Sequence, residues 1–388
     1  MNVLADRLKE IPPYLFMELR KKIQQAKAAG ADVISLAIGD PVEPTPSFII
    51  EELQKQALDP ANHPYPTDEE RGMKKYRQAV ARWYDRKYQV HLDPDTEILG
   101  LIGSKEGVHH FMMACVNPGD IVLMTDPGYP AYRANILMAG ASPYEVPILA
   151  ENNFLPDLER IPPAVCQKAK AIFLNYPNNP TGACATKSFF RALITWAKKH
   201  QILLVHDNPY SEIVFPHGEK LSLLQIDGAK DIAVEFNSLS KPYNMTGWRI
   251  GMVLGNPSII NALSKVKENV DSGVFNPIQY AAIKALDEGD KAIDHMMAIY
   301  QKRRTLVLNT FKEKNIDIKP GLGTFYLWLP VPKGMTSIDF ATRLFEEAHV
   351  VVAAGAAYGK YGEGFFRVSL TVSDDRLEQA MDRILKRS

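Results

Sequence analysis

"NSLSKPYNMTGWRIG", residues 237–251, joins two apolar runs, "IAVEFNSLS" (232–240) and "RIGMVLG" (249–255), through a loop that holds Lys241 and Arg249. Both runs are apolar without clean alternation, the pattern of strands buried on both faces. "DIVLMTD" (120–126), "AIFLNYP" (171–177) and "ILLVHD" (202–207) share it. Helix-like segments lie between or around most of these runs. The best is "KSFFRALITWAKKH" (187–200), where Phe189, Leu193, Trp196 and Ala197 recur at three- and four-residue spacing and basic residues collect at the C-terminal end. Strands alternating with helices predict an α/β fold, a large domain with a mostly parallel sheet flanked by helices, in which ligands bind at the carboxyl ends of the strands. A long helical stretch over about 291–315 then leads into "TFYLWLPVP", "SIDFATRLFEEAH", "VVVAAG" and "FFRVSLTV", read as a smaller α+β domain. The expected division is an N-terminal segment, 1–45, that joins the small domain; a large domain, 46–290; and a small C-terminal domain, 291–388.

The chain has 388 residues, more than a single hydrophobic core ordinarily serves, which agrees with two domains. Lys+Arg and Asp+Glu are 45 each and no long basic run occurs, so the sequence carries no electrostatic footprint for nucleic acid or an anionic membrane, and a small-molecule partner is expected. The three cysteines, Cys115, Cys166 and Cys184, are scattered without a CxxC pair, which argues against a disulfide framework or a zinc site and for a reducing compartment. The N-terminal "MNVLADRLKEIPPYLF" mixes charges where a secretion signal needs an apolar run, and no later segment approaches the roughly 20 apolar residues of a membrane span. A cytoplasmic protein is expected.

Four stretches at strand ends carry chemistry. "GLIGSKEGVHHFMMACV" passes from an apolar strand end through Gly103, Ser104 and Lys105 into a helix, where free backbone N–H groups suit an anion such as phosphate; Ser104 is equally a simple N-cap. "NYPNNPTGA" (175–183) follows a strand with turn residues, and the turn leaves the paired carboxamides of Asn178 and Asn179 unexplained. "VHDNPYSEI" places Asp207 at the end of a strand and Tyr210 three residues on; the carboxylate is either a turn or cap residue or a partner for a cationic ligand atom. A loop lysine is ordinarily solvated, yet Lys241 has the hydroxyls of Ser238 and Ser240 before it and the guanidinium fork of Arg249 eight residues on. An amine beside such a phosphate-binding set is what a Schiff base with pyridoxal phosphate requires.

"NPTG", "DNPY" and "SLSK" with Arg eight residues later, in that order, resemble the fold-type I, class I/II aminotransferases that use pyridoxal 5′-phosphate (PLP). The likeness runs from "AIGDP" (37–41) through "DPGYPAY" (126–132) to "FFRVSL" (365–370). The resemblance implies transamination between an amino acid and a 2-oxo acid by a homodimer whose large domain binds PLP. Lys241 would carry the cofactor and move the substrate's proton, and Asp207 would pair with the ring nitrogen. Asn179 and Tyr210 would meet the ring's phenolic oxygen, and Tyr129 would stack on its face. Gly103, Ser104, Lys105, Ser238, Ser240 and Arg249 would surround the phosphate, joined by Tyr65 from the other subunit. Arg367 would clamp the substrate carboxylate near Gly39 and Asn179.

Within the family, "IPPYLF" (11–16), "GSKEG" (103–107), "DSGVFNPIQ" (271–279) and "YGEGFFRVSLTV" (361–372) most resemble the LL-diaminopimelate enzymes. That likeness implies LL-2,6-diaminopimelate and 2-oxoglutarate as substrates in lysine biosynthesis, with Lys105 meeting the distal carboxylate and Glu70 of the other subunit the distal ammonium. "YPTDEERGM" (65–73) is two residues longer between tyrosine and glycine than the usual form, which leaves Glu69 and Glu70 both open for that part. An aspartate or alanine aminotransferase of broad specificity, or a PLP-dependent β-lyase, is the alternative.

Overall fold

A computed structural model describes residues 3–11, 15–66, 71–313 and 318–387. In chain order its strands are β1 (Ile34–Ser35), β2 (Ile98–Leu101), β3 (Ile121–Asp126), β4 (Ser142–Pro147), β5 (Ala169–Asn175), β6 (Leu203–Asp207), β7 (Ala233–Ser238), β8 (Gly251–Gly255), β9 (Tyr326–Pro330), β10 (Val350–Val351), β11 (Ala353–Ala354) and β12 (Phe365–Ser369). β2 to β8 form one sheet in the order β2-β8-β7-β6-β5-β3-β4. The run expected to end at Pro177 stops at Asn175; Pro177 has no N–H to give to a ladder.

Pairing is parallel from β7 across to β4, whereas β8 runs antiparallel to both of its neighbours, β7 and β2. Six strands therefore point one way. Their C-terminal ends and the N-terminal start of β8 share one edge, so Arg249, two residues before β8, reaches the edge where β2, β5, β6 and β7 run out. Side chains alternate between two apolar layers, as period-2 strands covered on both faces require. In β5, Ile172 and Leu174 join the layer that includes Phe190 and Leu193, while Ala171 and Phe173 join the one that includes Phe111 and Ile260.

Helix 187–200 forms at the expected bounds; the Thr186 side chain accepts from the Phe189 N–H and caps it. Its buried face is Phe190, Leu193, Ile194, Trp196 and Ala197, with Phe189 only half-buried. The long C-terminal helix is Asp290–Glu313. Beyond it, β11, β12 and β9 make an antiparallel sheet, and the "VVVAAG" run splits between β10 and β11. β1 pairs in parallel with β10, and the Ser369 N–H donates to Leu36 O, so the chain entering Gly39 is strapped to β12. Among the described residues no helix is long and apolar enough to cross a membrane.

Candidate active site

At the shared edge lies a cavity of about 510 Å³, a size suited to a cofactor with a small substrate. Gly39, Ser104, Lys105, Tyr129, Asn179, Asp207, Tyr210, Ser238, Ser240, Lys241, Arg249 and Arg367 line it. Most of the residues picked from separate stretches of sequence thus converge on one site; Gly103, next to Ser104, does not itself line it. Tyr65 does not line it and is 75% exposed. Glu69 and Glu70 lie outside the described residues.

The Lys241 amine donates to Gly39 O at 2.9 Å and sits 5.6 Å from the Phe325 ring centre. Burial lowers its pKa; Tyr326 and Asp40 act against this, and the cations Arg367 and Arg249 add to it. A depressed pKa raises the share of neutral amine, the nucleophilic form. Asp207 ends β6 and is buried, and burial pushes its carboxyl up to about 6. Its Oδ2 accepts from the Tyr132 hydroxyl at 2.6 Å, which opposes that rise, and the neighbouring His206 acts in the same direction. Its Oδ1 is buried and makes no hydrogen bond among the described residues. The Asn175 amide holds the Asp207 backbone oxygen at 2.7 Å and, through its own oxygen, the Asn179 N–H at 2.7 Å, so one side chain fixes the ends of two strands.

Gly103, not Ser104, occupies the N-cap of helix Ser104–Cys115, and Ser104 is its first residue. Gly103 has φ 79°, and a Cβ there would stand 2.2 Å from Arg249 Nη2. Only glycine lets the guanidinium lie over this helix start, where N–H groups without intrahelical partners attract an anion. Arg249 is held by Thr246 O at 3.0 Å. Gly39 is required in the same way, since a Cβ there would stand 1.7 Å from the Tyr326 hydroxyl. Arg367 is 1% exposed; its Nη1 donates to Asn179 Oδ1 at 2.7 Å and its Nη2 to Ala37 O at 2.5 Å. Its guanidinium stacks 3.8 Å from the Tyr326 ring centre and 4.9 Å from that of Tyr358.

Tyr132, Tyr326 and Asn175 escaped the sequence reading. Tyr132 stood in view in "DPGYPAY", but its partner Asp207 is 75 residues away. Tyr326 sits on β9 opposite Ser369, in a run read only as a strand.

The set fits PLP on its own chemistry. It has an amine of lowered pKa, a buried carboxylate with one oxygen still to satisfy, and a helix start with an arginine and two serines. The chain belongs to the family described as aminotransferase class I and II, which matches residues 31–384. It is accordingly a PLP-dependent aminotransferase acting on amino acids and 2-oxo acids. It is 51% identical over 382 residues to the LL-diaminopimelate aminotransferase of Oleidesulfovibrio alaskensis, covering 98% of each chain, and 50% identical over 384 residues to that of Aquifex aeolicus, covering 99% of each. Among solved structures, substrate-bound BacF from Bacillus subtilis aligns with a TM-score of 0.95 at 36% identity, over 100% of this chain and 98% of that one. An aspartate aminotransferase variant from Thermus thermophilus aligns with a TM-score of 0.92 at 28% identity over 100% of both chains, and the fold is that of the fold-type I enzymes.

Proposed function

We propose that this aminotransferase takes LL-2,6-diaminopimelate as its amino substrate, with 2-oxoglutarate as partner, in lysine biosynthesis. The observation that carries the reading is identity of about half the residues over nearly the whole chain to enzymes of that name. Lys105 on the cavity wall supplies a cation for the distal carboxylate. A pocket built to pair a second ammonium and carboxylate discriminates strongly, because shorter substrates leave its polar groups unmatched. LL-diaminopimelate with 2-oxoglutarate should therefore show a kcat/KM roughly 100-fold or more above aspartate or alanine. Equal turnover of aspartate would sink the substrate assignment, and pyruvate release without an added oxo acid would point to a β-lyase.

PLP supplies an electron sink for the charge left when the substrate loses its Cα proton. The chain's own residues do the rest. Lys241 would hold PLP covalently through its amine, and that amine, when free, would take up and return the proton at substrate Cα. Asp207, whose Oδ1 makes no hydrogen bond among the described residues, would accept from the cofactor's ring nitrogen and is steadied by Tyr132. Tyr210 and Asn179 would hydrogen-bond the ring oxygen, Tyr129 would stack on the ring, and Arg367 would take the substrate carboxylate. The Gly103–Lys105 turn, Ser238, Ser240 and Arg249 would hold the phosphate. Gly103→Ala, which adds a Cβ at positive φ against Arg249, should weaken PLP retention about tenfold. Unchanged PLP affinity on equilibrium dialysis would place the phosphate elsewhere.

A homodimer in the cytoplasm is part of the same reading. Exposed Tyr65 is available to a partner's phosphate site, and the three cysteines are free. Two domains, 46–290 binding the cofactor and 1–45 with 291–388 forming the other, are supported by the β1–β10 pairing and by an apolar cluster drawn mostly from 1–45 and 291–388, among them Leu36, Leu327, Val350 and Leu377, which also takes in Tyr210, Ile213 and Phe215.

A further inference from the structure

Behind the sheet, on the face opposite Asp207, a histidine is locked between two acceptors. His206 precedes Asp207 on β6 and is fully buried. Successive strand residues point to opposite faces, so His206 shares the layer of Leu204 while Asp207 faces the cavity. Its Nε2 lies 2.9 Å from Tyr176 O, a backbone carbonyl that can only accept, so Nε2 carries a hydrogen. Its Nδ1 lies 2.8 Å from Glu235 Oε2, the residue directly across the β6–β7 register.

One proton remains to be placed between Nδ1 and Oε2, and the surroundings of Glu235 place it. Oε2 also accepts from the Leu223 N–H at 2.8 Å, and Oε1 accepts from the Tyr84 hydroxyl at 2.9 Å. Burial, with Glu235 beside it, raises the Tyr84 pKa well above its usual value, so this hydroxyl stays a donor. Donors converging on both oxygens stabilise the carboxylate, and the proton belongs on the ring. The Phe190 ring packs against the imidazole at 5.2 Å between centres.

We infer that His206 is a positioning residue, a buried imidazolium paired with Glu235, whose charge one residue from Asp207 keeps that carboxylate an anion facing the cofactor's ring nitrogen. The inference rests on the reading of Asp207 given above. The cation in the pair is the nearer member in the chain to Asp207, and the screening is weak because both residues are buried. The favourable charge opposes the burial that works against Asp207 ionisation. The sheet itself transmits the effect, without contact between His206 and the cofactor.

Two measurements test this. In the ¹⁵N-histidine-labelled holoenzyme, with His206 assigned by loss of its signals in His206→Asn, both ring nitrogens should carry a hydrogen at neutral pH. A ring nitrogen without an attached hydrogen near neutral pH would overturn the inference without recourse to a variant's folding. Second, the dissociation constant of PLP from the full chain is followed with pH in the unmodified protein, His206→Asn and Asp207→Asn. His206→Asn should move the acid limb of PLP binding up by about one pH unit, roughly tenfold weaker binding near its midpoint. A limb abolished by Asp207→Asn yet unmoved by His206→Asn overturns the inference alone. A limb that survives Asp207→Asn overturns the Asp207 assignment and the inference with it.

Discussion

Lys241→Ala is expected to lower kcat by about four orders of magnitude or more, because one amine serves both as covalent anchor and as proton carrier. No other lysine lines the cavity among the described residues except Lys105, which stands at the helix start beside Ser104 and not at Gly39. A rescue from within the site is therefore not expected. The variant should fold, since among the described residues the Lys241 amine makes one hydrogen bond, to Gly39 O, and its removal leaves only that carbonyl to rehydrate in a cavity open to water. It should still bind PLP through Asp207 and the phosphate cradle. In the parent, borohydride treatment followed by peptide mapping should place the cofactor label on Lys241. A label on another lysine, or an alanine variant within tenfold of the parent's kcat, would remove Lys241 from the centre of the chemistry.

Much of this site was legible because its residues end apolar strands. Asp207 and Ser238 close β6 and β7, and Asn179 follows β5, so a mostly parallel sheet brings them to one edge without any knowledge of packing. Arg249 was legible as a residue type but not by position: it precedes a strand, and reaches the edge because β8 runs against its neighbours. Apolar runs carry no direction, so the sense of β8 could not be read. Contacts across long separations were equally hidden. Tyr132 meets Asp207, and Glu235 meets His206, through strand order and register, which no local pattern encodes. β1 and β10 have two residues each, too short for a periodic signal, although together they bring Gly39 to the lysine.

Arg367→Lys should raise KM for both amino and oxo acid by roughly 100-fold, about 3 kcal/mol, with the spectrum of bound PLP nearly unchanged. The guanidinium is held flat by the Tyr326 ring at 3.8 Å, and two of its nitrogens are tied to Asn179 Oδ1 and Ala37 O. Those ties orient the fork before substrate arrives, so little rotamer freedom is lost on binding. A lysine keeps the charge but is a point donor on a flexible stem; it satisfies either the carboxylate or the two oxygens now served by Arg367, not all three. The cost then falls on substrate binding, while Asp207, Lys241 and the phosphate cradle stay as they are. Asn179→Ala should show part of the same loss, because its oxygen is one of the two anchors, and the double variant should fall short of the sum of the singles. Full additivity of Arg367→Lys and Asn179→Ala, or unchanged KM in Arg367→Lys, would show that the carboxylate is gripped by another group.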